Sequence, residues 1–213
     1  MINLNFDDAR RYLRAGESIS DDYLRDVAQE LEELASVKKA CLVSPAHRED
    51  GFYVVDELDL VLPSNDINAL FDQVDSIAVF VVTLGIGVDK KIAFYSHTDM
   101  VRSMVLDSLA SVYVESVLDE LHSECDQKQI GKYPTMRFSP GYGDCPLEIQ
   151  RQIGDNMDIY RRLGITLSSS NLMIPQKSIT AFVGYSDKKQ VFSNVCLTCP
   201  RQGKCTTKCN KAR

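Results

Sequence analysis

Two groups of side chains in this sequence of 213 residues have types and spacings that could do chemistry. The first is the run Arg137-Phe138-Ser139-Pro140-Gly141-Tyr142-Gly143-Asp144-Cys145-Pro146. Its arginine offers a two-pronged donor for a carboxylate, its glycines let a ligand approach the backbone, and Tyr142 offers an aromatic face to a cation. The same residues also suit a Pro-Gly surface turn with a solvated arginine. The second group is Cys196-x2-Cys199-x5-Cys205-x3-Cys209. Four thiolates this close suit tetrahedral zinc or an iron–sulfur cluster, although the spacing matches neither usual ferredoxin run. Unliganded or reversibly oxidised thiols are the alternative, since Cys-x2-Cys pairs can be redox-active.

The elements that must position these groups follow from periodicity. Phe6 to Ala15 predicts a short helix closed by Gly16, and Ser20 caps a second with Leu24, Val27, Leu31 and Leu34 on one stripe. A strand over Lys39 to Val43, ended by Pro45, precedes one or two more in Phe52 to Leu62. The apolar, β-branched stretch Ser76 to Leu84 fits a central strand buried on both faces. Gly85-Ile86-Gly87 lacks the third glycine of a dinucleotide fingerprint and is expected to be a strand-to-loop turn.

Thr98 to Ser123 carries the strongest helical stripe, through Val101, Val105, Leu109, Val112, Val117 and Leu121. Glu115, Asp119 and Glu120 fall on its solvated face, with Glu115 within reach of a ligand if that face borders a pocket. Lys132 to Pro146 is expected to be a long loop, followed by a helix to Ile153, a restart at Asp155 and a stop at Gly164. The remaining strands are placed at Ile165 to Ile174, Ser178 to Val183 and Gln190 to Phe192. Strands grouped between helices without regular βαβ alternation indicate an α+β fold with a central, largely antiparallel or mixed sheet flanked by helices. Residues 1–195 form the expected single domain, and residues 196–213 a short Cys-rich basic tail.

Composition narrows the partners. Net charge is −6, and because residues 196–213 hold five bases and no acid, the rest carries −11. So acidic a body argues against nucleic acid, whose binding needs a basic face. No apolar run approaches the roughly 20 residues of a membrane span, and the acids and arginines of the first residues exclude a signal-peptide core. A soluble, cytoplasmic protein is expected. Cys41, Cys125 and Cys145 are scattered, Cys145 reading as a packed core cysteine, and the clustering of the other four does not suit a disulfide scaffold. His47 has no neighbour at ligand spacing, and no Ser-His-Asp or Cys-His arrangement stands out.

The run RFSPGYGDCP resembles the Arg-x-x-Pro-Gly-Tyr-x-x-Cys-Pro signature of the activation domain of cobalamin-dependent methionine synthase. Downstream, LGITLSSSNLMIPQKSITAFVG is similar to that family's strand, Met-x-Pro turn and following strand, matched by Met173, Pro175 and Ser178. The resemblance implies S-adenosylmethionine binding. Arg137 would hold the methionine carboxylate, Ser139 and Gly141 would give backbone contacts, and Tyr142 would line the pocket near the sulfonium. Val183 and Gly184 fall where the family closes its pocket; its usual aromatic pair is absent there, leaving backbone contact. The family's N-terminal aspartate corresponds to Asp7 or Asp8.

The resemblance further implies a role: presenting S-adenosylmethionine so that one-electron reduction of inactive cob(II)alamin is trapped by methyl transfer. No Asp-x-His-x-x-Gly cobalamin motif occurs in the sequence. The expectation is a stand-alone activator acting in trans on a methionine synthase that carries the cobalamin and lacks its own activation domain. An electron donor such as a flavodoxin or ferredoxin would serve it, and neither nucleic acid nor membrane is expected as a partner. The rival reading is an iron–sulfur or zinc-binding electron-transfer or accessory protein for a corrinoid methyltransferase, with Cys196, Cys199, Cys205 and Cys209 as its working part.

Overall fold

Alternation along one strand organises the molecule. In the computed structural model, which describes residues 4–13 and 18–189, β4 (Ser76–Thr83) sends Ala78, Phe80 and Val82 into one core and Ile77, Val79 and Val81 into another. A strand buried on both faces has no polar face to offer water, which is why its sequence is continuously apolar. Six strands form one antiparallel sheet in the order β3-β2-β1-β4-β8-β5: β1 (Lys38–Glu49), β2 (Phe52–Val55), β3 (Leu60–Leu62), β5 (Tyr133–Pro134) and β8 (Ser178–Ser186) join β4. The expected α+β class and antiparallel sheet are what the chain adopts.

On the first face pack α1 (Phe6–Leu13), α2 (Asp21–Leu34), α4 (Ile86–Thr98) and α5 (Met100–Lys128). On the second lie α3 (Asn65–Leu70), α6 (Ile149–Asn156) and α7 (Ile159–Leu163), and a small hairpin of β6 (Thr166–Leu167) and β7 (Met173–Ile174) precedes β8. Ser20 caps α2 by accepting from the Tyr23 N–H, and Leu24, Val27 and Leu31 are buried as their spacing predicts. Gly164 ends α7 with φ +74°, also as expected.

Several boundaries differ from expectation. Pro45 does not end β1: residues 38–45 pair with β4 and residues 46–49 with β2, so the proline sits where the strand changes partners. Gly85-Ile86-Gly87 leads into a helix rather than a loop. Gly85 precedes α4 with φ +82°, its Cα so close to Ser36 that a Cβ would lie 3.1 Å from the Ser36 Cβ, and Gly87 is in the first turn of α4. Short helix α3 carried too weak a periodicity to be expected.

Val101 is exposed instead of joining the buried stripe of α5. The loop after α5 is interrupted by β5, and the helical restart comes at Asp158 rather than Asp155, which lies within α6. The predicted strand at 190–192 and the cysteines 196, 199, 205 and 209 lie outside the described residues. Among the described residues no helix is long and apolar enough to cross a membrane, and no cluster of His, Cys, Asp and Glu could hold a metal.

Candidate functional site

The run Arg137 to Pro146 is a turn tied to the body at three places. At its start, the Thr135 N–H donates to the Gly184 carbonyl at 2.8 Å while the Gly184 N–H donates to Thr135 Oγ1 at 2.9 Å. Phe138 and Phe182 then exchange both backbone hydrogen bonds, at 3.0 and 2.7 Å. Within the turn, the N–H groups of Gly141 and Tyr142 donate to Cys145 and Ser139 carbonyls. Gly141 adopts φ +85° and its ideal Cβ position is 3.2 Å from Leu147 Cδ1, so the turn needs glycine there.

Asp144 closes the far end. Its carboxylate accepts from the Ser64 hydroxyl and from the N–H groups of Asn65 and Asp66 at 2.8 and 3.2 Å, at the start of α3. These donors, Ser64 first, hold the Asp144 carboxyl below its ordinary pKa against the opposing effect of burial. Cys145 is buried in the second core, as expected, and burial with the nearby Asp144 charge pushes its thiol up to about 11.

This turn forms one wall of an open cleft of about 230 Å³ whose other walls are α5 and the start of β8. Arg137, Ser139 and Tyr142 meet there with Glu115 and Leu118 of α5 and Ala181 of β8. The Arg137 side chain is only 14% exposed, and its Nη2 lies 2.5 Å from Asp119 and 3.6 Å from Glu115. Its Nη1 is buried and has no hydrogen-bond partner. A guanidinium nitrogen taken from water and left unpaired is costly, so this donor is suited to an acceptor that a ligand brings.

Asp119, assigned to a solvated helix face from sequence, is therefore an ion-pair partner of Arg137, while Glu115 does border the cleft. The signal that could have found the pair is Glu115 and Asp119 at i,i+4 spacing flanking Leu118 on one helix face. Tyr12 of α1 escaped sequence reasoning altogether. Burial, and then the charges of Glu115, Tyr142 and Asp8, raise its phenol pKa, Glu115 and Tyr142 being residues of the cleft wall. The Asp8 carboxylate itself lies 2.9 Å from Arg11.

The structure does not place Gly141, Val183 and Gly184 on the cleft in the way it places Arg137, Ser139 and Tyr142. The Gly141 N–H is held by the turn. Val183 is buried beneath the first helical layer and pairs with Ala78, and the backbone of Gly184 is engaged by Thr135. The residues of β8 that line the cleft are Ile179 and Ala181, four and two positions earlier than Val183 on the same face.

Comparisons with known proteins bear on this geometry. The sequence profile of the family described as "Vitamin B12 dependent methionine synthase, activation domain" matches residues 58–198, about two thirds of the chain. Among solved structures, the chain is similar to one described as the MetH reactivation domain bound to AdoHcy, with a TM-score of 0.58 and 18% identity. That similarity covers 85% of this chain and 71% of the other. Comparison with curated protein sequences returns no match.

Proposed function

The chain belongs to the vitamin B12-dependent methionine synthase activation-domain family, and from that premise we propose that its cleft binds S-adenosylmethionine in support of cobalamin reactivation on a methionine synthase. The observation that carries this reading is Arg137: a largely buried guanidinium with Nη2 held by Asp119 and a buried Nη1 lacking any acceptor. The methionine carboxylate of the ligand is an acceptor of the right charge and shape for it. Support also comes from the structural relative, which is described as bound to AdoHcy, the demethylated form of the same ligand.

In this reading Arg137 anchors the carboxylate, and Ser139 and Tyr142 line the wall along which the rest of the ligand lies. Gly141 keeps the turn in shape through its positive φ. Val183 and Gly184 act from inside the sheet, fixing β8 so that Ile179 and Ala181 form the cleft floor. The anionic flank of Glu115 and the Tyr142 ring suit a ligand that carries a sulfonium. When bound, S-adenosylmethionine supplies an electrophilic methyl group; the chain's own share is binding and orientation.

In this proposal the corrinoid is carried by a methionine synthase on which the chain acts in trans. Reduction would come from a separate electron donor such as a flavodoxin or ferredoxin, in the cytoplasm. For Cys196, Cys199, Cys205 and Cys209 we carry forward a zinc or iron–sulfur site. Elemental analysis with a visible spectrum decides it: iron with charge-transfer bands favours a cluster, zinc a structural site, and neither removes the metal reading.

Calorimetric titration of the purified chain with S-adenosylmethionine tests the central proposal. Saturable binding is expected, weakened at least tenfold by Arg137→Ala, since a charge-assisted hydrogen bond is worth about 1.5–3 kcal/mol. Binding that Arg137→Ala leaves unchanged would move the site out of this cleft. No binding by the chain, alone or with a cobalamin-loaded methionine synthase, would overturn the reading.

A further inference from the structure

Cys41 and Cys125 are 84 residues apart in sequence, yet their sulfur atoms lie 3.8 Å from each other across the junction of β1 and α5. They line an open cavity of about 200 Å³ on the first face of the sheet, with Val43, Glu124 and Lys128 among its walls. This cavity shares no lining residue with the Arg137 cleft. Cys125 is 5% exposed, whereas Cys41 is only partly buried, so one sulfur of the pair can be reached from solvent. Over the cavity rim, Lys39 pairs with Glu124 at 2.8 Å, holding the strand and helix at this spacing.

We propose that Cys41 and Cys125 are a dithiol modification site that reacts with a peroxide-class oxidant and closes to a reversible disulfide linking β1 to α5. A disulfide needs the sulfurs about 2 Å apart, so they must close from 3.8 Å, a change within the range of a side-chain rotation into an adjoining cavity. The accessible Cys41 attacks first. Its sulfur bonds to one peroxide oxygen as the O–O bond breaks, giving a sulfenic acid and one molecule of water. Cys125 sulfur then attacks the Cys41 sulfur; the S–S bond forms, the S–O bond breaks, and the hydroxyl leaves with the Cys125 proton as a second water. Two electrons pass from the two sulfurs to the peroxide, and a dithiol reductant reverses the change.

Burial, then the charge of Cys125, pushes the Cys41 thiol up to about 12, with Lys128 acting the other way. Thiolate is scarce at neutral pH, so the first step is slow and the pair is a site for sustained rather than momentary oxidant. Cys145 provides the internal contrast, being 3% exposed in the other core with its thiol also raised.

The test uses the full chain, reduced, desalted, exposed to hydrogen peroxide, blocked with N-ethylmaleimide and digested without reduction for peptide mass spectrometry. The expected result is a joined Cys41–Cys125 peptide pair that dithiothreitol separates, with Cys145 still a thiol. The cross-link closes a loop of more than 80 residues and should raise the melting temperature by roughly 10 °C, a shift that Cys41→Ser lacks. In Cys125→Ala, dimedone should trap Cys41 as its sulfenic acid. Cys41 oxidised in the wild-type chain without a cross-link, Cys41 joined to any other cysteine, or both thiols remaining alkylatable would each overturn the proposal. Because the readout is the wild-type peptide map, a poorly folding variant does not blunt it.

Discussion

Arg137 is held by one hand and open with the other. Asp119 is 62% exposed, so its attraction to the guanidinium is screened, and its main effect is to fix where Nη1 points. Asp119→Asn is therefore expected to weaken S-adenosylmethionine binding by about fivefold, near 1 kcal/mol, through positioning. Isothermal titration of the variant checks this, and tighter binding would mean that Asp119 competes with the ligand instead. At this scale the sequence was informative on one side of the cleft only. The turn was legible because Pro140 and Gly141 act locally, through a fixed φ and a positive φ, whereas the tie of Asp144 to the start of α3, 79 residues away, was not. Sequence left Glu115 conditional and missed the Asp119 partner of Arg137, because which face of α5 meets the cleft depends on how the whole helix rotates against the sheet.

Gly184 shows what a strand element demands of its residues. A Cβ at Gly184 would lie 2.5 Å from Val74 Cγ2 and 3.2 Å from Phe71 Cγ, in a core already closed. Gly184→Ala should thus cost about 2 kcal/mol of folding stability by overpacking, measured by urea denaturation, while the folded fraction keeps its ligand affinity. Lost affinity at unchanged stability would assign Gly184 to direct contact. The strands themselves were largely legible, since β4 is apolar and β-branched over most of its length and β8 is mostly apolar or β-branched. Harder to see was α4, whose apolar positions do not gather into one stripe and of which only Val88 is buried. Pro45 misled for a related reason: a missing N–H matters only on the side where a partner strand expects it, and partners are not written locally.

For the whole molecule, acid is the condition that separates its parts. Burial opposes charge on Asp126, yet His122 beside it and the Tyr185 hydroxyl, donating at 2.7 Å, hold its carboxyl below the ordinary value of 3.8. Asp144 is lowered as well. Groups with depressed folded pKa values stabilise fully above the unfolded value and lose that contribution as pH falls through the folded one. Thermal melts should therefore hold level from pH 7 to about pH 5 as far as these groups are concerned and fall steeply below about pH 4. Tyr185→Phe should lower stability by about 1.5 kcal/mol at pH 7, with the difference from wild type shrinking below pH 3.8. A constant difference across that range would exclude the Asp126 carboxylate as the partner that matters. The acidic balance that makes this behaviour natural was plain from composition; the pairing of Asp126 on α5 with Tyr185 on β8, 59 residues apart, was not.

The turn from Arg137 to Pro146 is anchored by Thr135 to Gly184, by Phe138 to Phe182 and by Asp144 to the start of α3. Ordering a free loop of ten residues on association would cost on the order of 10 kcal/mol in conformational entropy, more than the roughly 8 kcal/mol of a micromolar affinity. Here that cost is met during folding, so a ligand arriving at Arg137 surrenders chiefly its own freedom.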